Sequence, residues 1–304
     1  MYPHAASIEY TDTAVNSTLY AYLNISNPMV AWEVAIGRIR SVCDVTREAF
    51  GISVWAYSLL RRYAKTGADQ RFLNELALES VRQRNEPGAV SRLSGVYFFE
   101  TEAEAITAVE RWGIPERRPY ISAVNFSSNK MTKVDSEWIT SYLASDEQDW
   151  MTAYWAGKTL GARPLTEIIA SGIGLIQNQA LRVLAYQSII DRWPTATPLL
   201  AMASCAFKEY KLEDIALIKP AITAGNDGVS GRHYIDIRDL DLHEKEIISA
   251  LHACKKRDEL PPMTIPNDGA SFFSIPDMTH LDFDLVSTKA GLILKSVHDA
   301  AIDV

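Results

Sequence analysis

Cysteine is scarce. The 304-residue chain has three, Cys43, Cys205 and Cys254. So few, odd in number and far apart, they argue against a disulfide framework and suit a reducing compartment. Histidine is missing from residue 5 to residue 232, so most of the chain offers no imidazole to a serine or cysteine nucleophile. His252 and Cys254 lie close, but nothing around them completes a zinc-ligand spacing, and no metal site is expected. No apolar run approaches the roughly 20 residues that span a bilayer, so no membrane partner is expected. The start, "MYPHAASIEYTDTAVNST", lacks a basic stretch followed by an apolar one, and a cytoplasmic location is the expectation. GxxxxGK[ST] is absent, as is a complete G-x-G-x-x-G after a strand; "SGIGLIQNQ" lacks the third glycine. G-x-S-x-G is absent too. Acidic residues are many, which leaves paired-carboxylate chemistry open.

What is present is an ordinary globular composition, 47% apolar and 22% charged. The net charge of −8 argues against broad nonspecific attraction to nucleic acid. Up to residue 178 the basic residues are 13 Arg and 4 Lys. Arginine forks suit phosphates and carboxylates better than lysine does, although most of these arginines read as helix surface.

Along the chain, Ser17 to Ile25 reads as a strand, and Asn27-Pro28 caps a helix that Gly37 ends. Two helices follow, joined by Thr66-Gly67-Ala68. The second sets Phe72, Leu73, Leu76 and Leu78 near one face with charges opposite. "VSRLSGVYFFE" reads as a strand and "TEAEAITAVERWG" as a helix, with Thr101 and Glu104 forming a capping box and Gly113 past its end. "RPYISAVNFS" is another strand. "PLTEIIASGIGLI" reads as two strands joined at a glycine turn, with Glu167 among apolar neighbours. Beyond residue 178 come helices at "NQALRVLAYQSIIDRW", "TPLLAMASCAFKEYK" and "LHEKEIISALHACKKRDEL", an Asn-Asp-Gly turn beside a strand, a proline-rich loop, and "DFDLVSTKAGLILKSVHDAA" as a last helix. The boundary is set near 178: residues 1–178 as one domain, 179–304 as a mixed, largely helical C-terminal region that recognises a target or docks a partner.

Gly95-Val96-Tyr97-Phe98-Phe99, ahead of the alanine-rich "EAEAITAV", resembles the "G-I-Y-F-A" strand and helix of the ADP-ribosyltransferase superfamily, in its His-Tyr-Glu branch. "AYWAGKTLGARPLTEIIASG" resembles the segment of bacterial members in which Tyr-Trp-x-Gly precedes a strand with the catalytic glutamate. The likeness covers about residues 17 to 178. It implies an α+β fold, with an ADP-ribosyltransferase-like split β-sheet core and helices. It also implies that NAD is the substrate, that Tyr97 stacks on the nicotinamide, and that Glu167 is catalytic at the nicotinamide ribose. Tyr154 comes with the Tyr-Trp-x-Gly segment as a further cofactor contact. Arg92, placed by its charge just before the strand, is assigned to a phosphate of NAD. The family's first-strand His or Arg is not found in "LYAYLNIS"; Tyr22 or Asn24 occupies that region and is assigned to the adenosine ribose or the carboxamide. The implied activity is transfer of ADP-ribose to a protein or nucleic acid. Its settings are a toxin of a defence or toxin–antitoxin system, with an antitoxin as partner, or an effector. The alternatives are an inactive NAD- or ADP-ribose-binding module of the same fold, and an unrelated α+β interaction protein.

Overall fold

The computed structural model describes residues 8–42, 49–66, 70–225, 227–267, 269 and 271–302. His4, Cys43, Gly67, Ala68 and Asn226 lie outside the described residues. The fold is a mix of helices and two antiparallel sheets. In chain order the first part comprises β1 (Ile8–Tyr22), α1 (Pro28–Ile36), β2 (Arg38–Arg40), β3 (Phe50–Gly51), α2 (Val54–Thr66), α3 (Gln70–Asn85), β4 (Val96–Phe98), α4 (Glu102–Arg111), β5 (Ile121–Asp135), α5 (Glu137–Tyr142), α6 (Trp150–Trp155) and β6 (Thr166–Ile176). The rest comprises α7 (Gln179–Arg192), α8 (Thr197–Tyr210), β7 (Ile218–Ala224), β8 (Gly228–Ile235), α9 (Glu244–Lys256), β9 (Phe283–Val286) and α10 (Thr288–Ile302).

Local chemistry sets these boundaries. The Asn27 side chain accepts from the Met29 amide to start α1, and Pro28 takes a first-turn position where its missing N–H is not needed. Thr101 and Glu104 form the reciprocal capping box of α4. Asn178 caps α7 through the Leu181 amide, directly off the end of β6.

The first sheet runs β1-β5-β6-β2, with β4 also on β6. Tyr20 and Phe99 exchange backbone hydrogen bonds of 2.9 and 2.8 Å, so the ladder β1-β5-β6-β4 returns to β1. The second sheet runs β3-β7-β8-β9, and β3 pairs Phe50 with Ile222. One large core joins the two parts: Trp32, Phe98 and Phe126 from the first pack in the same cluster as Leu200, Ile222 and Phe283 from the second. Residue 178 therefore falls at a helix cap inside a continuous core.

Three readings of the sequence change. Thr166–Ile176 is one strand, where two with a turn were expected. Its Gly172, at φ 145°, lies against Ser127, next to the register shift between Ser128 and Lys130, so the glycine accommodates a β-bulge in the partner instead of a reversal. "DFDLV" is strand β9 on β8, ahead of the last helix. On α3, Asn74, Glu75 and Glu79 are buried with the apolar residues, so its acidic side chains turn inward while Arg71 and Arg84 stay exposed. Each carboxylate has an arginine partner: Glu75 has Arg92 and Glu79 has Arg82. Among the described residues no helix is long and apolar enough to cross a membrane.

Candidate functional site

The site begins with the register of two strands. Tyr97 of β4 lies opposite Ile169 of β6. Alternation along a strand puts Glu167 and Ile169 on one side of β6, the side to which Tyr97 belongs. Val96 and Phe98 turn to the large core on the other side, while Tyr97 packs in a smaller cluster with Leu78, Trp150, Tyr154 and Trp155. β4 starts only at Val96, because the Gly95 amide donates to the Ser91 carbonyl and closes a turn. A Cβ on Gly95 would meet Ile169 Cγ2 at 2.5 Å, so glycine lets the turn lie on β6. That turn folds Arg92 back over the Tyr97 face.

Arg92 is 3% exposed and organises the site. Its Nε and Nη2 donate to the two oxygens of Glu75 at 3.2 and 3.0 Å. Nη1 donates to the Tyr154 hydroxyl at 2.9 Å. Glu167 Oε2 is 3.5 Å from the same Nη1, a looser contact. The Tyr97 hydroxyl donates to the Arg92 carbonyl at 2.5 Å, which fixes the ring. The guanidinium also lies over the rings of Tyr97, Tyr154 and Trp55, 5.2 to 5.7 Å from their centroids. Trp55, at the start of α2 and 43% exposed, packs on Tyr97 with ring centroids 4.7 Å apart. It forms the solvent side of an otherwise buried cluster.

The electrostatics follow from who holds Arg92. Glu75 takes the bidentate pair. Glu167, 6% exposed, is left with the weaker share. Burial raises its pKa to about 7; Arg92 opposes the shift and the Glu75 carboxylate adds to it. Burial likewise holds the Tyr97 hydroxyl well above its ordinary value. The result is a carboxyl that changes charge near neutrality beside a fixed cation, which itself lies over the Tyr97 ring.

Of the residues singled out in the sequence, Arg92, Tyr97, Tyr154 and Glu167 come together. Tyr22 does not join them: its ring packs edge-on to Trp112, in a cluster with α4. Asn24 is exposed, accepts from the Ser26 amide, and lines a separate cavity. Glu75 and Trp55 were missed. The signal for Glu75 was its place inside the apolar stretch "FLNELALES"; nothing distinguished Trp55 from other aromatic residues at a helix start. Among the described residues no group of three or more metal-ligating side chains occurs. Compared with protein-family models, with curated proteins and with solved structures, the chain shows no significant match.

Proposed function

We propose that the chain is a mono-ADP-ribosyltransferase that moves ADP-ribose from NAD to a protein or nucleic acid, as a toxin of a defence or toxin–antitoxin system or as an effector. The observation that carries this reading is the pairing of β4 with β6, which puts Tyr97 and Glu167 on one face with Arg92 between them. On this reading the fold is an ADP-ribosyltransferase-like core. The nicotinamide ring stacks on Tyr97 once the exposed Trp55 indole swings aside. Ionised Glu167 favours the positive charge that grows on the ribose as the C–N bond breaks and nicotinamide leaves with the bonding pair. The acceptor then attacks the anomeric carbon, and a carboxylate with a pKa near 7 is matched to taking its proton.

The second reading is a non-catalytic NAD- or ADP-ribose-binding module. It is favoured by the closure of the site: Glu167 is buried against Arg92, and Trp55 covers Tyr97. Incubation with labelled NAD and cell lysate separates the two. Transfer requires label on a macromolecule and free nicotinamide, both reduced on the order of 100-fold or more in Glu167→Gln. Neither product, with a melting-temperature rise on adding NAD, supports the binding module. Neither product and no rise overturns both readings.

A further inference from the structure

A cavity of about 360 Å³ opens between the N-terminal end of α1, the middle of α2 and the end of α7. It is distinct from the Tyr97 face, because α1 packs in the large core on the Phe98 side of β4. Two arginines, Arg61 and Arg192, line it together with His280. Among the described residues neither arginine has an ion-pair partner. Arg61 Nη2 donates to the His280 carbonyl at 2.7 Å, and its Nε is buried with no acceptor. Asn24, Ser26, Asn27 and Ser58 are the other polar residues on the wall, Asn27 and Ser58 being bonded to each other, to the Met29 amide and to the Val54 carbonyl, and among the described residues that line it none is acidic. Nearby Asp282 is engaged with His233 Nδ1 at 2.6 Å and the Tyr57 hydroxyl at 3.1 Å. At the rim, Arg117 Nη1 donates to Ser26 Oγ at 2.8 Å, and its charge is shared with Glu116, whose Oε1 is 3.6 Å from Arg117 Nε. Pro28, Met29 and Leu281 add an apolar patch.

We infer that this cavity binds a phosphate-bearing ligand of nucleotide size. Two guanidiniums without an ion-pair partner carry more positive charge than a single carboxylate neutralises, whereas a phosphoryl group accepts from several forked donors at once. The volume falls within the roughly 300–1,000 Å³ of small-molecule sites, larger than free phosphate needs. The apolar patch suits the uncharged body of such a ligand.

Titration calorimetry on the intact chain with ADP, pyrophosphate and adenosine tests this. ADP is expected to bind tightest and pyrophosphate more weakly, both with affinity that falls as salt rises, while adenosine gives no signal. Arg192→Gln, at an exposed position, is expected to weaken ADP roughly tenfold without moving the melting temperature. Asn24→Asp keeps the acceptor for the Ser26 amide but adds negative charge to the wall, and is expected to weaken ADP as well. The site does not rest on the transfer reading, so ADP affinity is expected to be unchanged in Glu167→Gln. No binding at millimolar ADP, equal binding of ADP and adenosine, or full affinity in both cavity variants would overturn it. Loss of binding in Glu167→Gln alone would place the ligand on the Tyr97 face and overturn it too.

Discussion

One guanidinium faces two carboxylates, and the allocation decides how Glu167 behaves. Unfolded, a glutamate ionises near pH ~4.3. Folded, Glu167 ionises near 7. Between those values the native state binds more protons than the unfolded chain, so stability falls as pH rises. The contribution is fully present below the unfolded value and lost once pH passes the folded one. Glu167→Gln is expected to flatten that slope and to be more stable at about pH 8, by on the order of 3 kcal/mol. Urea denaturation at a series of pH values reads this directly. If the proposed function holds, the same variant loses transfer, so stability and activity move in opposite directions. NAD carries a cationic nicotinamide, so its binding is expected to favour ionised Glu167 and release protons near pH 7, measurable as a buffer-dependent heat. Removing the other carboxylate has a different outcome. Glu75→Ala leaves Arg92 buried without its bidentate partner, at an expected loss of about 3–5 kcal/mol, read as a lowered urea midpoint. Of these residues, Tyr97 and Glu167 were legible because each stands out within a short motif. Glu75 was not, since an acidic residue on a helix reads as solvated until its arginine is known to sit 17 positions away in the chain.

Elements were most legible where the backbone carries its own punctuation. Asn27-Pro28, the Thr101–Glu104 box and Asn178 start helices through bonds made within three residues. Elements were least legible where a distant partner sets the geometry. Gly172 read as a turn because its role depends on β5, whose bulged residues lie more than forty positions earlier. A Cβ there would come 2.1 Å from the Ser127 carbonyl oxygen. Gly172→Ala is therefore expected to destabilise by about 1–3 kcal/mol through backbone strain, and by more if β5 cannot shift. A thermal melt compared with that of Gly161→Ala provides the control, since Gly161 also has positive φ but has open space around its absent Cβ. "DFDLV" was lost for a similar reason: its alternating exposure acquires meaning only beside β8.

At the scale of the molecule, composition marked the end of the resemblance near 178 but carried no information about packing across it. Ile39 and Leu60 from the first part belong to or pack on the same core as Leu199 and Leu294 from the second. α1 packs on α7 and α8, and α10 packs on α3. A fragment ending at 178 would expose Trp32, Met29 and Ile36, all now buried. Residues 1–178 expressed alone are expected to lack a cooperative urea transition, whereas the full chain shows one. A fragment that melts cooperatively would mean that the first part closes its own core.

The pairing of Phe50 and Gly51 with Ile222 and Ala221 also has a consequence in time. A ribosome adding 5–20 residues per second places that partner strand roughly ten to thirty seconds after β3 has emerged. α10, which packs on α3, is made later still. The large core therefore closes only after α10 has emerged. Until then the nascent first part presents a bare apolar flank, and its passage to the native state depends on whatever shields that flank in the meantime.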